Sequence, residues 1–136
     1  MHPLFRGAAV IPVLSIERER DAAPLARALL EGGLSVLEAT LRTEAAIAAI
    51  EAIAAELPQV TVGAGTLLRA ADVAAAVKAG AKFLVSPGTT PQLAGAALAT
   101  DLPYLPGVAT PAEIMAARAL GICVMKLFPA EAMGGV

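Results

Sequence analysis

The sequence has few of the residues that carry metal, disulfide or aromatic chemistry. It contains no tryptophan, one tyrosine, one histidine and one cysteine. The single cysteine, Cys123, cannot form an internal disulfide, and we expect it to be a small apolar side chain of a protein from a reducing compartment, the cytoplasm. With His2 as the only histidine, a zinc site and a Ser-His-Asp triad are disfavoured. We expect neither a metal nor a cofactor.

Charged residues are also scarce and balanced in sign. Twelve acidic and ten basic residues leave a net charge of -2. The basic residues are scattered along the chain, which argues against nucleic acid as a partner. No apolar run reaches the roughly 20 residues that a membrane-spanning helix needs, and no basic leader precedes the first apolar run. We therefore expect no membrane partner.

Aliphatic residues are abundant and alternate between two patterns. The chain is 57% apolar but only 3% aromatic, a composition that suits helices packed on buried parallel strands. Apolar runs that predict strands lie at 10–14, 34–41, 60–62, 83–85, 104–105 and 123–128. Alanine-rich segments that predict helices lie at 21–31, 44–57, 70–79, 91–99 and 111–120. Thr110 with Glu113 forms a capping box that marks the start of the last helix.

Six alternations of strand and helix with short connections indicate an α/β fold. Parallel strands covered by helices can form a (βα)8 barrel or an open doubly wound sheet. We favour the barrel, because no Gly-x-Gly-x-x-Gly follows the first strand and polar residues gather at the carboxyl ends of the strands. The length of 136 residues predicts one domain, 1–136.

Lys126 is the most informative residue. Of the three lysines it alone lies inside an unbroken apolar run, Ile122-Cys123-Val124-Met125-Lys126-Leu127-Phe128-Pro129. Burial disfavours the charged form of a lysine, so an amine in such a run is available as the neutral nucleophile of Schiff-base chemistry. The alternative is a side chain that extends from the end of a strand to water.

A second polar group is predicted to face Lys126. Residues of equal parity face the same side of a strand, so Glu38, Thr40 and Arg42 are expected on one face. The same rule groups Lys126 with Phe128. Because strands two and six of an eight-stranded barrel lie opposite each other, Glu38 and Lys126 are expected to converge on one central ligand.

Each of these residues also has a structural interpretation. Glu38 and Lys126 could form a buried ion pair, although desolvating two charges often costs more than their attraction recovers, which favours a functional role. Arg42 suits the carboxylate of a ligand, or is a solvated loop arginine. Pro87 and Phe128 are candidates for an apolar wall around the amine, or for ordinary loop packing.

A short glycine segment, Gly63-Ala64-Gly65-Thr66, follows the third apolar run. It is a partial glycine loop of the kind that can bind phosphate. A tight turn between strand and helix is the alternative.

Five co-linear segments closely resemble the 2-keto-3-deoxy-6-phosphogluconate (KDPG) aldolase family, many members of which also act as 4-hydroxy-2-oxoglutarate (KHG) aldolases. The segments are Val36-Leu37-Glu38-Ala39-Thr40-Leu41-Arg42-Thr43, Val62-Gly63-Ala64-Gly65-Thr66, Val85-Ser86-Pro87-Gly88, Leu105-Pro106-Gly107 and Lys126-Leu127-Phe128-Pro129-Ala130-Glu131. The similarity extends from residue 10 to residue 136 in order and spacing.

The resemblance implies a class I aldolase on a (βα)8 barrel, a carbon–carbon lyase that is usually a homotrimer. It would cleave the phosphorylated keto acid to pyruvate and glyceraldehyde 3-phosphate. By motif, Lys126 would be the Schiff-base lysine and Glu38 the general acid and base. Arg42 and Thr66 would hold the carboxylate region of pyruvate. Pro87 and Phe128 would line the site.

The sequence departs from the family barrel at its carboxyl end. It covers about the first six βα units, so strands seven and eight and the phosphate-binding loops after them are expected to be absent. We therefore interpret the chain as a partial barrel, a fragment or a truncated product. The alternatives are a noncatalytic fragment that depends on strands from a partner, a galactonate-type aldolase, and a phosphate-binding barrel of another kind, such as an isomerase.

Overall fold

The structure, a computed structural model, describes residues 7–135. His2 lies outside the described residues, as does Val136. The strands are β1 (Val13–Leu14), β2 (Val36–Thr40), β3 (Thr61–Gly65), β4 (Leu84–Ser86), β5 (Tyr104–Val108) and β6 (Lys126–Leu127). The helices are α1 (Ala22–Glu31), α2 (Ala46–Glu56), α3 (Ala70–Lys78), α4 (Pro91–Leu98) and α5 (Pro111–Ala119). Every predicted strand and helix is confirmed, with β1 and β6 shorter than their apolar runs.

The six strands form a part of a barrel. Their order is β1-β2-β3-β4-β5-β6, and each neighbouring pair is parallel. A doubly wound sheet reverses its strand order at a switch point, whereas this order runs in one direction. The predicted choice of the barrel is therefore confirmed. The carboxyl ends of all six strands lie at the same end of the barrel, with a helix after each of the first five.

The barrel wall separates two apolar clusters. Leu37 and Ala39 of β2 belong to the cluster between the strands and the helices. Val36, on the opposite face, packs with Phe83 and Val85 in the inner cluster. The predicted alternation along β2 is thus confirmed. Since Glu38 has the same parity as Val36, it faces inward above the inner cluster.

The last two helices begin as their sequences predict. Thr90 and Thr110 accept hydrogen bonds from the third residue of α4 and α5, and a proline occupies the first turn of each helix. Glu113 completes the capping box of α5. Hydrogen bonds from the Ala109 N–H, the Thr110 hydroxyl and the Thr110 N–H hold the pKa of Glu113 below its usual range. The carboxylate therefore favours this helix start while it is ionised, and protonation at acidic pH removes the contribution.

The glycines of the Gly63-Ala64-Gly65-Thr66 segment lie in β3 and only Thr66 lies beyond the strand, so the interpretation of the glycines as a loop or tight turn was wrong. Phosphate binding by the segment stays a prediction. Gly63 and Gly65 lie in β3 and share its inner face. A methyl group added to Gly63 would overlap the ring of Phe83, which is fully buried. Glycine at position 63 is required by the close approach of an aromatic ring to the backbone.

Two expectations about the last apolar run were also wrong. Cys123 is exposed, since it precedes β6 in an irregular segment in which Ile122 is buried and Met125 packs on the helix-side cluster. The regular strand is limited to the two residues that pair with β5. Apolar character alone predicts a longer strand than the structure has, and it predicts burial of Cys123, which is exposed.

In residues 7–135, none of the helices has both the length and the apolar character that crossing a membrane demands.

Replacing Gly63 by alanine is expected to destabilise the protein by about 1–3 kcal/mol, because the buried Phe83 ring must shift to admit the methyl group. Urea unfolding of the purified variant measures the change. The matched control is Gly95→Ala in α4, where an added methyl meets no atom within 4 Å. That control is expected to gain about 0.5–1 kcal/mol from helix propensity. Equal effects at the two positions would contradict the packing described here.

Candidate active site

The candidate site lies inside the barrel at the carboxyl ends of the strands. Glu38 is the central residue of β2, all of whose residues are buried. Lys126 is the first residue of β6 and is paired with Gly107 of β5. Its side chain projects from the inner face into the barrel, where it contacts Glu38. The barrel curvature brings β6 opposite β2. Two residues that are 88 positions apart in the sequence therefore meet.

The amine and the carboxylate are in direct contact. Nζ of Lys126 donates to Oε1 of Glu38 at 3.3 Å and lies 3.5 Å from Oε2. The predicted convergence of the two residues is confirmed. The Glu38 side chain is 6% exposed and the Lys126 side chain 27% exposed. The contact is therefore largely shielded from water on the carboxylate side and open to a small ligand on the amine side.

Lys126 is less buried than its apolar run predicts. Its side chain keeps some access to water, and its amine has the Glu38 carboxylate as a partner. Glu38, within hydrogen-bond distance, is the group that can take up the proton and free the nitrogen lone pair.

Phe128 forms an apolar wall beside the amine. Nζ of Lys126 lies 5.4 Å from the centroid of the Phe128 ring. That distance is within the range of a cation–π interaction, which contributes about 0.5–1 kcal/mol at a partly exposed site. The expected grouping of Lys126 and Phe128 on one face is confirmed.

Thr66 follows β3 in a strained backbone conformation. Its φ is 61°, and it is the one non-glycine residue among the described residues with positive φ. This region costs a β-branched residue energy, and such strain concentrates at functional sites. Thr66 is partly buried at the mouth of the barrel. Its predicted role in binding a carboxylate stays a prediction.

Arg42 and Pro87 are placed at the same end of the barrel. Arg42 lies two residues beyond β2 and is exposed, and within residues 7–135 its side chain makes no hydrogen bond or ion pair. Its interpretation as a ligand-binding residue therefore stays a prediction, with a guanidinium free to pair with an incoming carboxylate. Pro87 directly follows β4 and is partly buried.

Hydroxyl groups tie the exit of β2 to the first strand. Thr40 donates to the carbonyl of Leu14 at 2.8 Å and lies 3.2 Å from the Ser15 hydroxyl. Thr43 donates to the carbonyl of Ile16 at 2.6 Å. These contacts fix the end of the strand that carries Glu38. In the described part of the chain, no group of three or more His, Cys, Asp or Glu is arranged to hold a metal ion.

Comparison with known proteins identifies the family. The model of the aldolase family described as KDPG and KHG aldolase matches residues 2–136. The chain belongs to the KDPG and KHG aldolase family. The resemblance carried by the five sequence segments is thereby confirmed.

Individual relatives support the same assignment. The chain is 49% identical over 132 residues to 2-dehydro-3-deoxy-phosphogluconate aldolase of Pseudomonas aeruginosa, a match that covers 97% of this chain and 60% of that protein. It is 47% identical over 127 residues to KHG/KDPG aldolase of Escherichia coli K12, covering 93% of this chain and 60% of that protein. The chain thus spans about 60% of the length of these curated relatives.

A solved member of the family has the same backbone arrangement. The crystal structure of KDPG aldolase from Legionella pneumophila, with pyruvate captured as a covalent carbinolamine intermediate, superposes with a TM-score of 0.94 at 43% identity. The superposition covers 98% of this chain and 65% of that one. The partial-barrel fold is therefore that of the family.

Sequence reasoning missed two glycines that shape this family site. A methyl group added to Gly65 would overlap the carboxylate of Glu38, and one added to Gly107 would overlap the Pro87 carbonyl. The signal was present for Gly65, because Gly63 and Gly65 have equal parity in one strand and together leave its inner face without side chains beyond Thr61. The sequence of β3 does not show which group fills the space beside Gly65, because that group, the Glu38 carboxylate, lies in β2.

Replacing Glu38 by glutamine is expected to lower the unfolding free energy by about 1–3 kcal/mol, because the Lys126 ammonium loses its charged partner while it stays largely buried. The double variant Glu38→Gln with Lys126→Met is expected to lose less than the sum of the two single changes. Urea unfolding measures all three variants.

The control for this experiment is the exposed ion pair of Arg18 and Asp21, 2.7 Å apart. Asp21→Asn is expected to change stability by less than about 0.5 kcal/mol. Strict additivity of the Glu38 and Lys126 changes would show that their contact contributes nothing.

Proposed function

We propose that this protein is a class I aldolase that cleaves KDPG to pyruvate and glyceraldehyde 3-phosphate, and that it also accepts 4-hydroxy-2-oxoglutarate. One observation carries the proposal. The nitrogen of Lys126 lies 3.3 Å from a buried carboxylate at the mouth of a barrel that belongs to the KDPG and KHG aldolase family. Imine formation needs both a nucleophilic amine and a proton acceptor beside it.

The reaction begins with proton transfer from the Lys126 ammonium to Glu38. The neutral amine attacks the C2 ketone, and the carbinolamine loses water to form a protonated imine. Glu38 is suited to supply the proton that converts the departing hydroxyl to water. No redox partner is required, since every step moves protons and electron pairs within the substrate and these two side chains.

Carbon–carbon cleavage uses the imine as an electron acceptor. Removal of the C4 hydroxyl proton releases glyceraldehyde 3-phosphate as the C3–C4 electrons move into the imine, which leaves the enamine of pyruvate on Lys126. Protonation of the enamine carbon and hydrolysis of the resulting imine release pyruvate. In this proposal the Glu38 carboxylate carries the proton in these steps, directly or through one water molecule.

The remaining residues of the site would bind the substrate. Arg42 and Thr66 are proposed to hold the carboxylate of the keto acid. The exposed guanidinium of Arg42, which has no ion pair within residues 7–135, is suited to do so. Phe128 and Pro87 would border the reacting carbons. The ring of Phe128, 5.4 Å from the amine, supports its place in this wall.

Replacing Lys126 by methionine is expected to lower turnover of KDPG by at least about a thousandfold, because the nucleophile of the covalent pathway is lost. Methionine fills a similar volume and is apolar, so the fold should be retained. Pyruvate release, followed with lactate dehydrogenase and NADH, measures the rate, and circular dichroism checks the fold.

Lys82→Met is the matched control, because Lys82 is exposed and precedes β4, whereas the site lies at the carboxyl ends of the strands. Its turnover should equal that of the unaltered protein. Full turnover in Lys126→Met would overturn the proposal. A folded, unaltered protein without any turnover would also contradict the aldolase, and would favour a noncatalytic protein that needs strands from a partner.

We also propose that the protein works as a homotrimer in the cytoplasm. The trimer is what resemblance to the family implies, and a lone, exposed thiol at Cys123 suits a reducing compartment. Exposed apolar side chains along α5, Ile114 and Met115 among them, are compatible with subunit contacts. Light scattering should give three times the mass of the chain. The mass of a monomer at micromolar concentration would contradict the trimer.

A further inference from the structure

Gly65 lies under the carboxylate of Glu38. In the β2–β3 register Glu38 is paired with Gly63, and Gly65 is paired with Thr40, one step nearer the carboxyl end on the inner face. The Glu38 side chain leans along its strand in that direction. A methyl group added to Gly65 would overlap Oε1 of Glu38 and lie 2.7 Å from both its Cγ and its Cδ. The carboxylate therefore occupies the volume that any side chain at position 65 would fill.

This contact differs from those of the other glycines of residues 7–135. An added methyl at Gly63 would meet the Phe83 ring, and one at Gly107 would meet the Pro87 carbonyl. At Gly65 the neighbour is a charged group, and it is the group that contacts Lys126. A change at position 65 can therefore act on the amine of Lys126 through one residue, Glu38.

The Glu38–Lys126 contact has little tolerance for displacement. Its two N–O distances, 3.3 and 3.5 Å, are already at the long end of hydrogen-bond geometry. A side chain at position 65 would require Glu38 to change rotamer, because its Cγ, its Cδ and Oε1 all lie in the way. A shift of the carboxylate by about 1 Å is enough to lower the rate of a positioned proton transfer by two orders of magnitude.

We propose that Gly65 is a positioning residue: its lack of a side chain sets the place of the Glu38 carboxylate and thereby the proton transfer at Lys126. The catalytic consequence rests on the proposed function. The contact between Gly65 and Glu38 does not rest on it, so the contact and its catalytic consequence can be tested separately.

The test is a double-mutant cycle of Gly65→Ala and Glu38→Ala. The rate of pyruvate adduct formation on Lys126 is measured by trapping with borohydride and mass mapping. With Glu38 present, Gly65→Ala is expected to slow adduct formation by about a hundredfold, as general acid–base contributions usually run. With Glu38→Ala, which removes the three atoms nearest to the added methyl group, Gly65→Ala is expected to change the residual rate by less than about threefold, because interacting sites are not additive.

A purely structural effect on β3 would slow both backgrounds by the same factor, and that outcome overturns the proposal. An unchanged rate for Gly65→Ala in the presence of Glu38 also overturns it. Gly63→Ala is the matched control, because it adds the same methyl group to the same face of the same strand but meets Phe83. Its effect should be equal in the two backgrounds.

The urea midpoints of the four proteins of the cycle separate the contact from the chemistry. Gly65→Ala should lower the midpoint with Glu38 present and lower it much less with Glu38→Ala. If the unaltered protein forms no adduct, the proposed function fails, and the midpoints still decide whether Gly65 and Glu38 compete for one volume. If Gly65→Ala does not fold, folding of the double variant supports the contact, and failure of both variants overturns it.

Discussion

The site depends on one ion pair formed across the interior of a barrel. Lys126 at the start of β6 and Glu38 in the middle of β2 are far apart in sequence, and the curvature of the parallel strands brings the amine and the carboxylate to 3.3 Å. Burial makes the pair costly by itself, because each charge loses hydration and the attraction often fails to compensate. In the proposed mechanism the same arrangement holds the amine beside a proton acceptor whose side chain is only 6% exposed.

The inner face of the barrel is cleared so that this pair can form. Glycines at positions 63, 65 and 107 remove side chains where the Phe83 ring, the Glu38 carboxylate and the Pro87 carbonyl approach the strands. The two glycines of β3 thus leave space for two different groups. Gly63 admits the apolar ring of the inner cluster, and Gly65 admits the carboxylate above it. The packing of the inner cluster and the place of the Glu38 carboxylate are both consequences of one sequence pattern on one strand face.

Much of the fold could be predicted from the sequence, because the signals are local. Apolar runs and alanine-rich segments set the order of strands and helices, capping residues set the helix starts, and strand parity identified the face that holds Glu38 and Lys126. The convergence of Glu38 and Lys126 followed from barrel geometry, whereas the exposure of single residues and the exact length of a strand could not be predicted. The exposure of Cys123, the two-residue length of β6 and the partial access of Lys126 to water depend on what covers each residue. The glycines of β3 were misread for the same reason, because Glu38 lies in β2 and Phe83 lies just before β4.

The most direct measurement is to incubate the protein with pyruvate, reduce with borohydride and identify the modified residue by peptide mass mapping. The chain has three lysines, and only Lys126 combines the barrel interior with a neighbouring carboxylate. We expect one reduced pyruvate adduct, located on Lys126. An adduct on Lys78 or Lys82, or no adduct on a folded protein, would contradict the account.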